Sequence, residues 1–264
     1  MHYEGVLRKM QTEVGPPVQY YLVFGDDFLN VNQVLEKKIT LEFIKHQCLN
    51  CGQDRPIYRQ GFCKSCFFEI PTAGDWIMRP ELSTAHLDKE DRDLEYEKKM
   101  QLQPHIVYLA NSSNVKVGVT RKSQVPTRWI DQGAHEALEI LEVPNRYLAG
   151  ITEVALKNHV SDKTSWRKML TNQIEDIDLV QYRSELKSHI PEEVLPYFLD
   201  NKAETHLEFP VLTYPEKVKS LNLVKTPSYS GILKGIKGQY FIFEDQTVFN
   251  VRGNEGSYVR LGIH

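Results

Sequence analysis

The sequence predicts an α+β protein made of three joined parts. A β-unit is built from both ends of the chain, a four-cysteine zinc ribbon follows the first end, and a compact α/β unit fills the middle. Three observations carry this: a repeated strand pattern at opposite ends, two Cys-x2-Cys pairs, and alternating strand and helix signals between them.

The repeat is direct. Tyr3-Glu4-Gly5-Val6-Leu7-Arg8 matches Tyr229-Ser230-Gly231-Ile232-Leu233-Lys234. Further on, Gln19-Tyr20-Tyr21-Leu22-Val23 runs to Asn30-Val31, and Gln239-Tyr240-Phe241-Ile242-Phe243 runs to Asn250-Val251 at the same spacing. These segments are β-branched and aromatic, and Gly and Asp interrupt them, so they read as short strands and hairpins. Two isolated hairpins are marginal in water. Pairing of the copies, residues 1–45 with residues 211–264, would give each the partner it lacks.

Residues 46–80 hold Cys48, Cys51, Cys63 and Cys66, all the cysteines of the chain. A Cys-x2-Cys places two thiolates on one tight turn, and Gly52 relieves the bend. Two such turns meeting face to face supply tetrahedral sulfur ligation to Zn2+. A closed four-sulfur site leaves no position for substrate, so its expected task is to staple a segment too short to make its own core. With no cysteine left for a disulfide, a reducing, cytoplasmic setting is expected.

Residues 81–103 change character. Charged side chains dominate, and Leu87, Asp91, Leu94 and Lys98 fall at helical spacing, which predicts a solvated connector. Residues 104–210 then read as strand, strand, helix, strand, helix, helix. Ile106–Ala110 and Val115–Thr120 flank the turn residues Asn111-Ser112-Ser113-Asn114. Pro126 opens a short helix through Arg128 and Trp129 that Gly133 ends. Leu138–Val143 is a strand, and Asn145 caps a helix reaching about Val160. Asp162 or Thr164 is expected to cap the helix carrying Trp166, Met169 and Leu170.

Composition narrows the function. The 264 residues are 41% hydrophobic and 25% charged, ordinary for a folded chain. The net charge of −3 means that nucleic-acid binding would need a local basic patch. No apolar run approaches the roughly 20 residues of a membrane span, and the first residues lack signal-peptide character.

Val107-Tyr108-Leu109, Lys116-Val117-Gly118-Val119-Thr120, Arg128 and Glu153 form an ordered set. It resembles the GIY-YIG nuclease superfamily, in the branch whose second motif reads Lys-Ile-Gly. Taken whole, the chain resembles the bacterial DUF2797 family, most closely from His86-Leu87-Asp88 to Gly118-Val119-Thr120-Arg121. The superfamily resemblance implies DNA or RNA as partner and phosphodiester cleavage with Mg2+ or Mn2+. It implies that Tyr108 orients or deprotonates a water, Arg128 holds the phosphate and Glu153 ligates the cation.

Gly118 would let a phosphate or the tyrosine approach the backbone. Lys116, Arg121, Lys122 and Arg128 form a basic cluster suited to phosphate. Two positions depart from the superfamily pattern. Lys116 replaces the second motif's tyrosine, and Gln132 stands where active members carry His or Tyr. Neither is an equivalent general base near neutral pH. The alternative function is a non-catalytic protein-interaction or scaffold protein, in which ribbon and β-unit dock on a protein partner.

Overall fold

The computed structural model describes residues 1–160 and 165–264. The first end supplies β1 (His2–Val6), β2 (Gln11–Glu13), β3 (Gln19–Phe24), β4 (Asp27–Asn30) and β5 (Lys38–His46). In β3 the even positions Tyr20, Leu22 and Phe24 are buried and the odd ones half-exposed, the period of a strand with one face on the core. Gly25 adopts φ +60° in the two-residue turn to β4, where a side chain would be strained.

The cysteine region contributes α1 (Lys64–Glu69) and α2 (Asp75–Met78), and the connector contributes α3 (Leu94–Gln101). The connector is not solvated throughout. Glu97 and Gln101, one turn apart on α3, are fully buried. Glu97 accepts backbone N–H bonds from Asp91, Arg92 and Asp93 at 2.7–3.0 Å, holding the turn before its own helix. Arg92 donates to the carbonyls of Phe67 and Ile70, which ties the connector to the end of α1. The inward face is polar, with Glu97 fully engaged and Gln101 Oε1 accepting from Ala85 N, so a charged composition does not mean a solvated segment here.

Next come β6 (His105–Asn111), β7 (Val115–Arg121), α4 (Thr127–Asp131), β8 (Glu136–Val143), α5 (Arg146–Lys157), α6 (Trp166–Leu170), α7 (Leu179–Leu186) and β9 (Thr205–His206). They form an antiparallel sheet in the order β7-β6-β8-β9 with helices packed on it. Helix α5 stops at Lys157, short of the expected Val160. The cap of α6 is Ser165, whose hydroxyl accepts from Lys168 N; the expected caps Asp162 and Thr164 lie outside the described residues.

The chain closes with β10 (Lys219–Ser220), β11 (Ser228–Lys237), β12 (Tyr240–Phe243), β13 (Thr247–Asn250) and β14 (Ser257–Ile263). Strands from both ends share one sheet, ordered β1-β14-β5-β11-β12-β13-β10. The pairing has an internal two-fold logic. Leu41 of β5 faces Leu261 of β14, Tyr3 faces Leu261, and Tyr229 faces Leu41. Each copy's first strand therefore pairs with the other copy's last strand. One long strand, β11, spans pairings that β1 and β2 divide between them.

Strand β6 runs between two cores. Val107 and Leu109 face a cluster with Ala149 and Leu156 of α5 and Leu179 and Leu186 of α7. Ile106, Tyr108 and Ala110 join Trp129 and Ile130 of α4 in the same cluster as Tyr20, Leu41, Phe241 and Leu261. The terminal β-unit thus packs continuously onto the Tyr108 face of the central sheet.

Candidate functional site

Tyr108 sits at the middle of β6, opposite Gly118 of the edge strand β7. A Cβ at Gly118 would lie 2.7 Å from the ring and hydroxyl of Tyr108, so only glycine lets the ring cross that strand. The hydroxyl accepts a hydrogen bond from Gln132 Nε2 at 2.9 Å. Burial pushes the phenol pKa above its ordinary value, although Arg128 nearby opposes this. At neutral pH Tyr108 is therefore a hydroxyl donor and not a phenolate base.

Arg128 and Gln132 come from α4 and its C-terminal edge. Pro126 opens this helix, and Gly133, at φ +66°, ends it. Arg146 and Glu153 come from α5, two turns apart on one face. Asn145 caps that helix by accepting from Leu148 N at 2.9 Å. These side chains line one recess of about 340 Å³ together with Lys116, Gly118 and Lys157. Ile77, Met78 and Pro80 close one side of it. Arg146 holds that segment by donating to the carbonyls of Trp76 and Ile77 at 3.0 and 2.8 Å. A Cβ at Gly150 would overlap the Pro80–Glu81 backbone, so glycine permits this close seating.

Among the described residues, four cations, Lys116, Arg128, Arg146 and Lys157, line the recess with a single carboxylate. Glu153 lies 3.7 Å from Lys157, one turn further along α5. Burial raises the Glu153 pKa, and Lys157 and Arg146 oppose that rise. Burial, with repulsion from Arg128, brings Lys116 down to about 8. Burial likewise brings Arg146 to about 10. An excess of desolvated positive charge in a recess suits an anion.

Tyr108, Lys116, Gly118, Arg128 and Glu153 thus come together from four elements, β6, β7, α4 and α5. Arg121 and Lys122 do not join them. Side chains alternate along β7, so Arg121 points away from the face of Lys116 and Gly118, and its guanidinium meets Met100 Sδ. Lys122 pairs with Glu142 at 2.7 Å beyond the strand end. The sequence reading missed Arg146, which its place two turns before Glu153 could have indicated, and the covering segment at Ile77–Pro80, which carries no sequence signal.

The four cysteines form a second centre. Their sulfurs all lie within 4.8 Å of one another, and Cys48, Cys63 and Cys66 are buried. Tetrahedral ligation at roughly 2.3 Å requires sulfurs roughly 3.8 Å apart, so this donor set fits a metal such as zinc. Gly52 turns at φ +69° after the first pair. Cys63 N donates to Cys48 Sγ at 3.3 Å, and Asn50 Nδ2 donates to Cys66 Sγ at 3.4 Å. Burial raises the Cys48 thiol, yet backbone N–H bonds from Cys63, Cys51 and Asn50 bring it to about 6. Between the pairs, β-structure is limited to a bridge between Arg59 and Phe62.

The family model described as "Protein of unknown function (DUF2797)" matches residues 36–259. The chain belongs to the DUF2797 family. Comparison with curated proteins and with solved structures gives no match. The match of this DUF2797 chain takes in the four cysteines and every side chain named in the recess. No helix among the described residues is long and apolar enough to cross a membrane.

Proposed function

We propose that the chain binds nucleic acid, with a phosphodiester seated in the recess of Tyr108, Lys116, Arg128, Arg146 and Glu153, and that the central unit is GIY-YIG-like. The observation that carries this reading is the convergence of Tyr108, Arg128 and Glu153 beside Gly118 on one cationic recess. Arg128 offers a planar fork of donors to phosphate oxygens. Lys116 and Arg146 add charge in partly desolvated positions, where attraction to phosphate is strongest. The Tyr108 hydroxyl, protonated at neutral pH, can hold a water or a phosphate oxygen. Glu153 is the one carboxylate lining the recess among the described residues and would hold Mg2+ or Mn2+, which would supply charge neutralisation for cleavage. Zinc at Cys48, Cys51, Cys63 and Cys66 would be structural, fixing the loops around the second cavity described below.

A second reading, binding without cleavage, is favoured by one observation. Among the described residues the single carboxylate of the recess is already paired with Lys157, and no His or phenolate lines the recess as a base. Both readings are tested by offering labelled DNA and RNA, single- and double-stranded, with Mn2+. The nuclease reading expects cleavage that Glu153→Ala abolishes. Binding without cleavage supports the second reading. Failure to bind any of these substrates contradicts both.

A further inference from the structure

A larger cavity, about 1100 Å³, lies between the cysteine region, the turn joining β13 to β14, and α4. Arg8, Lys9, Arg59 and Arg252 reach it from three separate parts of the chain, with Asp131 and Glu255 as the carboxylates in its lining. Asp131 is nearly fully buried and is held by Lys9 at 2.8 Å and Arg252 at 3.8 Å. Glu255 accepts from the backbone N–H of Lys9 at 2.9 Å. Arg8 and Arg59 are exposed, and neither has a carboxylate within ion-pair distance among the described residues. Tyr58, 44% exposed, rests against Phe67 and Phe68 on the cysteine side, with ring centres 5.3 and 5.7 Å away, and the Arg59 guanidinium lies 5.4 Å from the Tyr58 ring centre. Tyr240 also lines the cavity, half-buried and stacked on Trp166.

This cavity and the phosphodiester recess share a wall. Asp131 of α4 faces the first, while Arg128 of α4, and Gln132 next to the helix end, face the second. A five-residue helix is roughly 7.5 Å long, so one turn or so of helix divides the two. Cations without carboxylate partners beside a part-exposed aromatic ring are a combination that holds a flexible strand: phosphates on the cations, a base on the ring.

Resting on the nucleic-acid reading above, we propose that this cavity is a track for single-stranded nucleic acid leading to the recess beyond α4. Arg8 and Arg59 hold backbone phosphates and Tyr58 stacks on a base. The inference names the substrate class, a strand with an unpaired segment, and gives the cysteine region a binding task in addition to a stabilising one. A duplex would present its bases already stacked on one another and could not use Tyr58.

The test is fluorescence anisotropy with the full, metal-loaded chain and labelled single strands of 4 and 16 nucleotides, beside a 16-base-pair duplex, over a salt series. The wild-type protein should prefer the longer single strand to both other probes. The double variant Arg8→Ala/Arg59→Ala should weaken binding of that strand and lower the salt slope by roughly 1.4, at about 0.7 per lost single-strand phosphate contact. It should leave the 4-nucleotide probe unchanged. Tyr58→Ala should weaken the long strand roughly five- to hundredfold, the range for one lost base stack. All three positions are exposed, and unchanged melting would show that the variants fold. If Arg128→Ala weakens binding while the double variant alters neither affinity nor slope, the track is wrong and the recess reading stands. Equal affinity for duplex and single strand would also overturn the track. If no probe binds, the track and the nucleic-acid reading both fail.

Discussion

The cysteine cluster and the Tyr108 recess are built on opposite principles. The cluster takes four like ligands from two short turns close in sequence, and its geometry depends on little beyond that segment. The recess takes unlike residues from two strands, two helices and a covering segment, and exists only when the central sheet and connector are assembled. The first should therefore govern stability and the second chemistry, with limited crossover. The contrast also explains where sequence reasoning succeeds. Ligand spacing is local, so it is visible in a string of letters. A recess assembled over 80 residues is visible only as an ordered set, and its walls are not.

The largest effect should follow removal of a cysteine ligand. Cys63→Ser is expected to abolish metal retention and to open residues 46–80 to proteolysis, since structural zinc contributes roughly 10–16 kcal/mol of apparent binding free energy in small modules. Metal analysis and limited proteolysis check this. A variant that keeps a full metal complement and resists protease would erase the contrast. Arg128→Ala should do the reverse. Loss of a charge-assisted hydrogen bond costs about 1.5–3 kcal/mol, so nucleic-acid affinity should fall roughly ten- to hundredfold with melting almost unchanged. An equal fall in melting would mean that Arg128 is structural.

Gly118→Ala is expected to fall between these two. Its Cβ must displace the Tyr108 ring from 2.7 Å, an overpacking cost of about 1–3 kcal/mol, and the displaced hydroxyl should weaken function as well. Calorimetry beside binding would separate the two losses. A variant with wild-type melting would show that the ring has room to move.

The smallest effect concerns pH. Lys116, lowered to about 8 by burial and by Arg128, binds phosphate only when protonated, so affinity should decline as pH rises from 7 to 9. Folding stability has the opposite sign. Between about 8 and the ordinary lysine value of 10.5 the unfolded chain carries a proton that the folded chain lacks, so this residue makes stability rise with pH. Lys116→Arg should move the decline in affinity to higher pH. A flat profile in the wild type would remove Lys116 from the phosphate contact.

Much of the architecture was legible beforehand because it rests on local chemistry. The copies at the two ends keep their Tyr, Gly, Gln and Asn at fixed spacing, and each folds as a hairpin, although β3 and β4 pair Tyr21 with Asn30 while β12 and β13 pair Tyr240 with Asn250. The hairpin of β6 and β7 and the cap at Asn145 were legible for the same reason. The connector misled because a buried helix face can be polar when backbone N–H groups satisfy it, as at Glu97. Arg121 stands outside the recess because side chains alternate along β7, and Lys122 because it lies past the strand end and pairs with Glu142. Arg146 was passed over because a cation that binds carbonyls far away in sequence looks like any surface arginine.

The central claim is that Glu153 and Arg128 serve one phosphodiester from two helices. It is tested most directly by incubating a labelled single strand with wild type, Glu153→Ala and Arg128→Ala in Mn2+, and reading bound and cleaved fractions from the same samples. The account expects wild type to bind, Glu153→Ala to keep binding and lose whatever cleavage wild type shows, and Arg128→Ala to bind roughly ten- to hundredfold more weakly. Cleavage surviving in Glu153→Ala, or equal binding by all three proteins, would contradict it.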